Sequence, residues 1–301
     1  MCQSDDESKV DEKHTETTNY TLGCHLVVFL DVLGQREKFR ALRLPKSPEE
    51  YASVAEVLRQ TAGFVVGLRE TFQRQFAEFD RGLTNFHQRT EEPIRPNFVG
   101  FSDLFVTSVP LWNRNGDHLA TTVTISSALS AASVVMLTSL ANRHALRGGI
   151  EVGFATEIAQ GETYGTALER AYILESSQAQ YPRIVIGDDL WKYVNTAIAH
   201  FKNQKTPESS AIATIFERTM RMISADKDGK RILDYLGEVM VEIAGPEKAK
   251  TAMNMIRPAY EFILTEHERV LTEGNAKLAG RYALLRQYFE SRLALWGLDK
   301  R

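Results

Sequence analysis

The chain has 301 residues, 43% of them hydrophobic and 25% charged, with a formal net charge of -3. That length admits one large domain or two small ones, and the globular balance excludes disordered, collagenous and disulfide-scaffold classes. No overall basic field draws the chain to nucleic acid or anionic lipid, so any polyanion it binds has to be held locally.

Residues 1–20 are polar and acid-rich, unlike a signal peptide, and read as a flexible tail. No apolar run approaches the roughly 18 residues needed to span a bilayer. Cys2 and Cys24 match no zinc or disulfide spacing and suit a reducing compartment, so a cytoplasmic protein is expected. Order begins at His25, where Leu26-Val27-Val28-Phe29-Leu30 reads as a buried strand running into the turn Asp31-Val32-Leu33-Gly34. Two helical stretches follow, the second from Ser47, an N-cap ahead of Pro48 and Glu50, to about Phe79.

Polar residues 80–95 read as a loop or hairpin tip, and Phe98 to Val109 is strand-like on both sides of Asp103. One long buried helix is expected from His118 to His144, then a strand at Arg147–Phe154, a helix at Gly165–Ser176 and a short strand at Arg183–Gly187. This order predicts an α+β fold, an antiparallel or mixed sheet with helices on one face. Beyond about residue 200 amphipathic helical pattern dominates. A turn is expected at Asp226-Lys227-Asp228-Gly229, and two helices should meet near Glu273-Gly274-Asn275.

Three places carry candidate chemistry. Asp31 sits at the end of a strand, ahead of a turn whose backbone N–H groups can receive phosphate oxygens. Asp103 lies between two apolar strand segments, where an unpartnered carboxylate costs several kcal/mol to bury, of the order of 5. Arg147 enters a strand ahead of Gly148 and Gly149, where it can reach phosphates. If the strands are neighbours, the two aspartates share one site, and two carboxylates plus a backbone carbonyl are a minimal cage for two divalent ions. Taken singly, Asp31 also reads as a turn or N-cap residue, Asp103 as the middle of a hairpin and Arg147 as a surface salt-bridge residue.

The ordered set Phe29-Leu30-Asp31-Val32-Leu33-Gly34, Phe101-Ser102-Asp103, Arg147-Gly148-Gly149-Ile150-Glu151-Val152-Gly153 and Tyr164-Gly165-Thr166-Ala167-Leu168 resembles the class III nucleotidyl cyclase catalytic domain over about residues 24–190. More narrowly, Ala171-Tyr172-Ile173-Leu174-Glu175 and Tyr181-Pro182-Arg183-Ile184-Val185-Ile186 look like the pyrimidine cyclases of bacterial Pycsar antiphage systems. The resemblance implies a ferredoxin-like cyclase sheet in a catalytic domain at 21–200, with a helical C-terminal region at 201–301 packing on that domain or on a dimer partner.

The same resemblance implies a metal-dependent lyase that converts UTP to cyclic UMP and pyrophosphate in antiphage defence. Asp31, Asp103 and the carbonyl of Val32 would bind two ions, Mn²⁺ or Mg²⁺. Leu33 and Gly34 would hold the triphosphate through backbone amides, and Arg147 would contact its terminal phosphates. Phe29 and Tyr51 are candidates to touch the nucleotide, although both also suit ordinary core packing. The implied partners are a pyrimidine nucleoside triphosphate, a second copy of the chain completing each site, and a separate effector that senses the cyclic nucleotide; nucleic acid and membrane are not among them.

Two departures stand out. Family members usually carry an Asn and, four residues later, an Arg on the helix after the Tyr-Gly segment, whereas Glu169 and Ile173 stand here. Either the stabilising charge comes from elsewhere, with Arg170 and Arg183 the nearest candidates, or catalysis is weak. The lysine by which purine cyclases read the base is absent around Asn97, Val99 and Gly100. A cytidylate cyclase, a purine cyclase of the same fold and a nucleotide-binding pseudo-cyclase are the alternatives.

Overall fold

The apolar run after His25 becomes β1 (Gly23–Val32), the hub of a mixed sheet. The computed structural model describes residues 22–86, 95–101, 104–111, 118–159 and 162–299. The expected tail at 1–20 lies outside them. After β1 come α1 (Gln35–Ala41), α2 (Pro48–Phe86), β2 (Asn97–Phe101), β3 (Leu104–Pro110), α3 (His118–Ala141), β4 (Leu146–Ala159), β5 (Glu162–Gly165) and α4 (Thr166–Ile173). A π turn at Leu174–Gln178 continues α4. Then follow β6 (Ile184–Ile186), α5 (Asp188–Gln204), α6 (Pro207–Arg221), β7 (Ile223–Ala225), β8 (Arg231–Leu233), α7 (Glu238–Thr272) and α8 (Ala276–Arg292).

The strand order is β2-β3-β1-β4-β6-β8-β7, with β5 paired to β4 as an arm. β1 is antiparallel to β3 and to β4, whereas β4 and β6 run parallel, so the fold is α+β with a mixed sheet. Side chains alternate across a strand. Leu26, Val28, Leu30 and Val32 therefore join one core with Phe72 of α2 and Leu129 of α3, while Val27 and Phe29 pack on the other face with Ala167 and Ala171 of α4. Most helices load the first face, and α4 covers part of the second.

Ser47 starts α2 as expected: the Glu50 amide donates to its Oγ at 3.3 Å, and Glu50 in turn accepts from the Lys46 amide at 2.7 Å. α2 runs two turns past Phe79 to Phe86. The Thr121–Ala141 segment of α3 is, against expectation, long and apolar enough by length and composition to cross a bilayer. It is instead the core helix, packed by α2, α6 and α7. Two of its serines stay inside with hydroxyls that donate back to carbonyls four residues earlier, Ser130 to Ser126 and Ser133 to Leu129.

The expected boundary at residue 200 falls inside α5. The region beyond it is not purely helical: β7 and β8 prolong the sheet past β6, and α7 packs on α3. One apolar core runs continuously from Leu26 to Trp296. The turn expected at Glu273-Gly274-Asn275 separates α7 from α8.

Candidate functional site

β1 delivers Asp31 to the end of the second sheet face, opposite Leu104 of β3 and Arg147 of β4. Asp31 is 5% exposed. Arg147 Nη2 donates to Asp31 Oδ2 at 3.2 Å, and Arg147 Nε lies 2.5 Å from Glu175 Oε1. Glu175, 2% exposed, comes from the π turn. One guanidinium thus bridges two buried carboxylates.

Gly149 lets the π turn come this close. A Cβ there would lie 2.3 Å from the Ala171 carbonyl oxygen and 2.5 Å from Leu174 Cβ, so α4 and its extension rest on bare backbone of β4. The wider turn also brings consecutive residues, Leu174 and Glu175, inward together. Burial pushes the Glu175 carboxyl up to about 7, with the Asp31 charge and a hydrogen bond to Asp31 adding to the rise and Arg147 opposing it. That is the expected electrostatics of two carboxylates sharing one cation.

The other candidates divide. Phe29 shares the Asp31 face, as its two-residue spacing requires, and its ring packs on Tyr172 with centroids 5.5 Å apart. Val32 is buried at the end of β1, opposite Leu146. Gly34 adopts a left-handed φ of 87° at the turn into α1. Leu33 needs correction as a phosphate-binding amide, because its N–H already donates to the Ala145 carbonyl at 2.9 Å, just beyond the end of β1. Tyr51 needs correction too. It is 66% exposed on α2, a helix that packs on the opposite face of the sheet, so it walls no pocket beside Asp31. Asp103 lies outside the described residues; Leu104, which follows it in the chain, is the residue opposite Asp31.

Glu169 and Ile173 are both exposed on α4. Arg170 pairs with Asp189 on the surface. Arg183 is no source of catalytic charge: it is 3% exposed, pairs with Asp226, meets Asp228 at 2.6 Å and donates to the Gln178 carbonyl at 2.8 Å. The Tyr181 hydroxyl donates to the same Asp226 at 2.7 Å. The Asp226–Gly229 segment closes as a tight turn, with the Gly229 amide on the Asp226 carbonyl at 2.9 Å. Its carboxylates clasp an arginine. Glu151 likewise has a structural task, accepting the Leu190 amide at 2.7 Å at the start of α5.

The residue that sequence reasoning missed as a site member is Glu175. Its signal was present, a carboxylate in helical step with Leu168 and Ala171, which face the sheet. Among the described residues no three His, Cys, Asp or Glu side chains cluster as a metal cage. Asp31 and Glu175 offer only hard oxygen donors, which suits Mg²⁺ or Mn²⁺ rather than a soft metal.

No family model matches the chain, and no curated protein matches it significantly. Among solved structures, the adenylyl cyclase CyaB from P. aeruginosa is similar, with a TM-score of 0.33 and 14% identity over 59% of this chain and 83% of that one. Two structures of a bacterial light-regulated adenylyl cyclase are similar with TM-scores of 0.32 and 0.35, each at 14% identity. They cover 56% and 58% of this chain, and 44% and 46% of their own length. At such identities and TM-scores, function has to be read from the side chains.

Proposed function

We propose that the chain is a metal-dependent nucleotidyl cyclase that converts UTP to cyclic UMP and pyrophosphate, as a cytoplasmic second-messenger synthase of antiphage defence. The observation that carries the reading is the Asp31–Arg147 contact. The two residues that the sequence resemblance assigns to metal and to terminal phosphates are cross-strand neighbours, hydrogen-bonded on one sheet face. Asp31, Asp103 and the Val32 carbonyl would hold two divalent ions, whose chemistry is to acidify the ribose 3′-hydroxyl and neutralise the triphosphate. Arg147 neutralises charge gathering on the β- and γ-phosphates as the 3′-oxygen attacks the α-phosphate in line and pyrophosphate leaves. Glu175 keeps that arginine in place.

A small base is supported by the Phe29–Tyr172 pair beside the site and by the absent purine-reading lysine. The working unit is a homodimer. Phe154, Ile158 and Tyr164 stand exposed on the β4–β5 arm, with Tyr172 and Ile173 on α4, and a second copy covers such apolar surface. The cyclic nucleotide then acts on a separate effector.

Glu169 and Ile173 also favour a second reading, a pseudo-cyclase that binds nucleotide without turning it over. Incubation with each of the four nucleoside triphosphates and Mn²⁺, followed by mass analysis, separates the readings. Cyclic UMP is the expected main product. Cyclic CMP would change only the choice of base, cyclic AMP or cyclic GMP would overturn the pyrimidine assignment, and metal-dependent binding without product would favour the pseudo-cyclase.

A further inference from the structure

Arg147 is doubly engaged: one end of its guanidinium is on Asp31 and the other on Glu175. The two contacts are unequal. Nε lies in ion-pair contact 2.5 Å from Glu175 Oε1 without hydrogen-bond alignment, while Nη2 donates a hydrogen bond to Asp31 at 3.2 Å. The backbone of Glu175 is set by its turn, which is seated on Gly149. Nε sits at the root of the guanidinium and Nη2 at its tip, so a fixed Nε allows the tip to move while the root stays put. A buried aspartate needs a cation beside it, and here the arginine is that cation.

On this basis, and resting on the reading of Asp31 as a metal ligand, we propose that Arg147 is a resident stand-in for the metal and that Glu175 is the positioning residue on which it pivots. When a divalent ion takes Asp31, the Asp31–Arg147 hydrogen bond breaks, Glu175 keeps Nε, and the freed Nη2 turns to the triphosphate oxygens that arrive with the ion. One arginine therefore serves the empty site and the loaded site in turn. The loss of Asp31 as partner is offset by a phosphate, so the side chain is never left as an uncompensated charge. Without Glu175, the guanidinium has only Asp31 to hold it and stays there, in competition with the ion.

Competition for one carboxylate is a coupling free energy and is measurable by metal binding alone. Mn²⁺ titration of the nucleotide-free full chain, followed by titration of the Mn²⁺-loaded chain with inorganic triphosphate, tests both halves without any turnover. Arg147→Gln is expected to bind Mn²⁺ at least about fivefold more tightly than wild type and to bind triphosphate at least about fivefold more weakly. Glu175→Gln, nearly the same shape without the charge, is expected to weaken both, by a similar factor. Unchanged or weaker Mn²⁺ binding by Arg147→Gln would overturn the stand-in, and wild-type triphosphate binding by Glu175→Gln would overturn the pivot. If Arg147→Gln does not fold, as judged by circular dichroism, the Glu175→Gln titrations decide. Failure of every triphosphate to give a cyclic product would refute the cyclase reading and leave these metal titrations standing.

Discussion

Asp31 and His25 lie on the same strand and the same sheet face, and burial treats them differently. Asp31 has a cation at hand, so its removal leaves Arg147 and Glu175 as a matched pair. Asp31→Ala is expected to lower product formation at least about 100-fold while barely moving the thermal midpoint. Near wild-type turnover would remove Asp31 from the metal site. His25 has the Ser108 hydroxyl 2.9 Å from Nδ1, and burial lowers its pKa against the opposing charge of Glu157. Because the folded value lies below the unfolded one, near 6.5, the unfolded chain takes up the proton first. The contribution of neutral His25 is present above about pH 6.5 and is lost as pH falls through the folded value. Urea unfolding at pH 7.5 and 5.0 should show a smaller acid loss for His25→Gln than for wild type, and parallel losses would refute the assignment.

Gly149 decides at the scale of elements how closely α4 and its π turn approach the sheet. Gly149→Ala has to push the Ala171 carbonyl and Leu174 away, at a cost of roughly 1 to 3 kcal/mol, and it lifts Glu175 off Arg147. Chemical denaturation should show the loss, and triphosphate binding should weaken with it; unchanged stability would mean that the turn is not clamped. This clamp also marks the limit of what the sequence makes legible. β1, β3 and β4 are written in apolar, β-branched runs, and the start of α2 in Ser47, Pro48 and Glu50. The π turn is not, because one additional inward residue looks the same as ordinary helical spacing over five residues. β7 and β8 have three residues each, too few for an alternation to show inside a helical pattern. The site divides in the same way. Asp31 and Arg147 are candidates because they stand in a motif, whereas Glu175 shows in the sequence only as a carboxylate in helical step, with nothing to tie it to Arg147. Tyr51 misled because aromatic character says nothing about which face of the sheet its helix will cover.

For the whole molecule, the shared core is the governing fact. α6, α7 and α8 bury Phe216, Ile256, Ile263 and Phe289 in the same apolar body as β1 and α3. A chain cut after Gln204 loses β7, β8 and three helices, and exposes the α3 surface that α6 and α7 cover. It is expected to be insoluble, or to keep secondary structure while losing near-ultraviolet circular dichroism. A cooperative thermal transition in the shortened protein would show instead that residues 22–204 form a self-sufficient domain.

The position of β1 in the middle of the sheet has a consequence for how the protein is made. Both its neighbours are distant in sequence: residues Leu104–Pro110 flank it on one side and residues Leu146–Ala155 on the other. At bacterial or eukaryotic elongation rates, the ribosome needs about ten seconds to add the hundred or so residues that separate β1 from β4. Until β3 is made Leu26-Val27-Val28-Phe29-Leu30 has no partner, and until β4 follows one of its edges stays open, the kind of segment that pairs with other nascent chains when its own partners are late. The strand that carries Asp31 is thus both the anchor of the finished sheet and the segment most in need of shelter by a chaperone during synthesis.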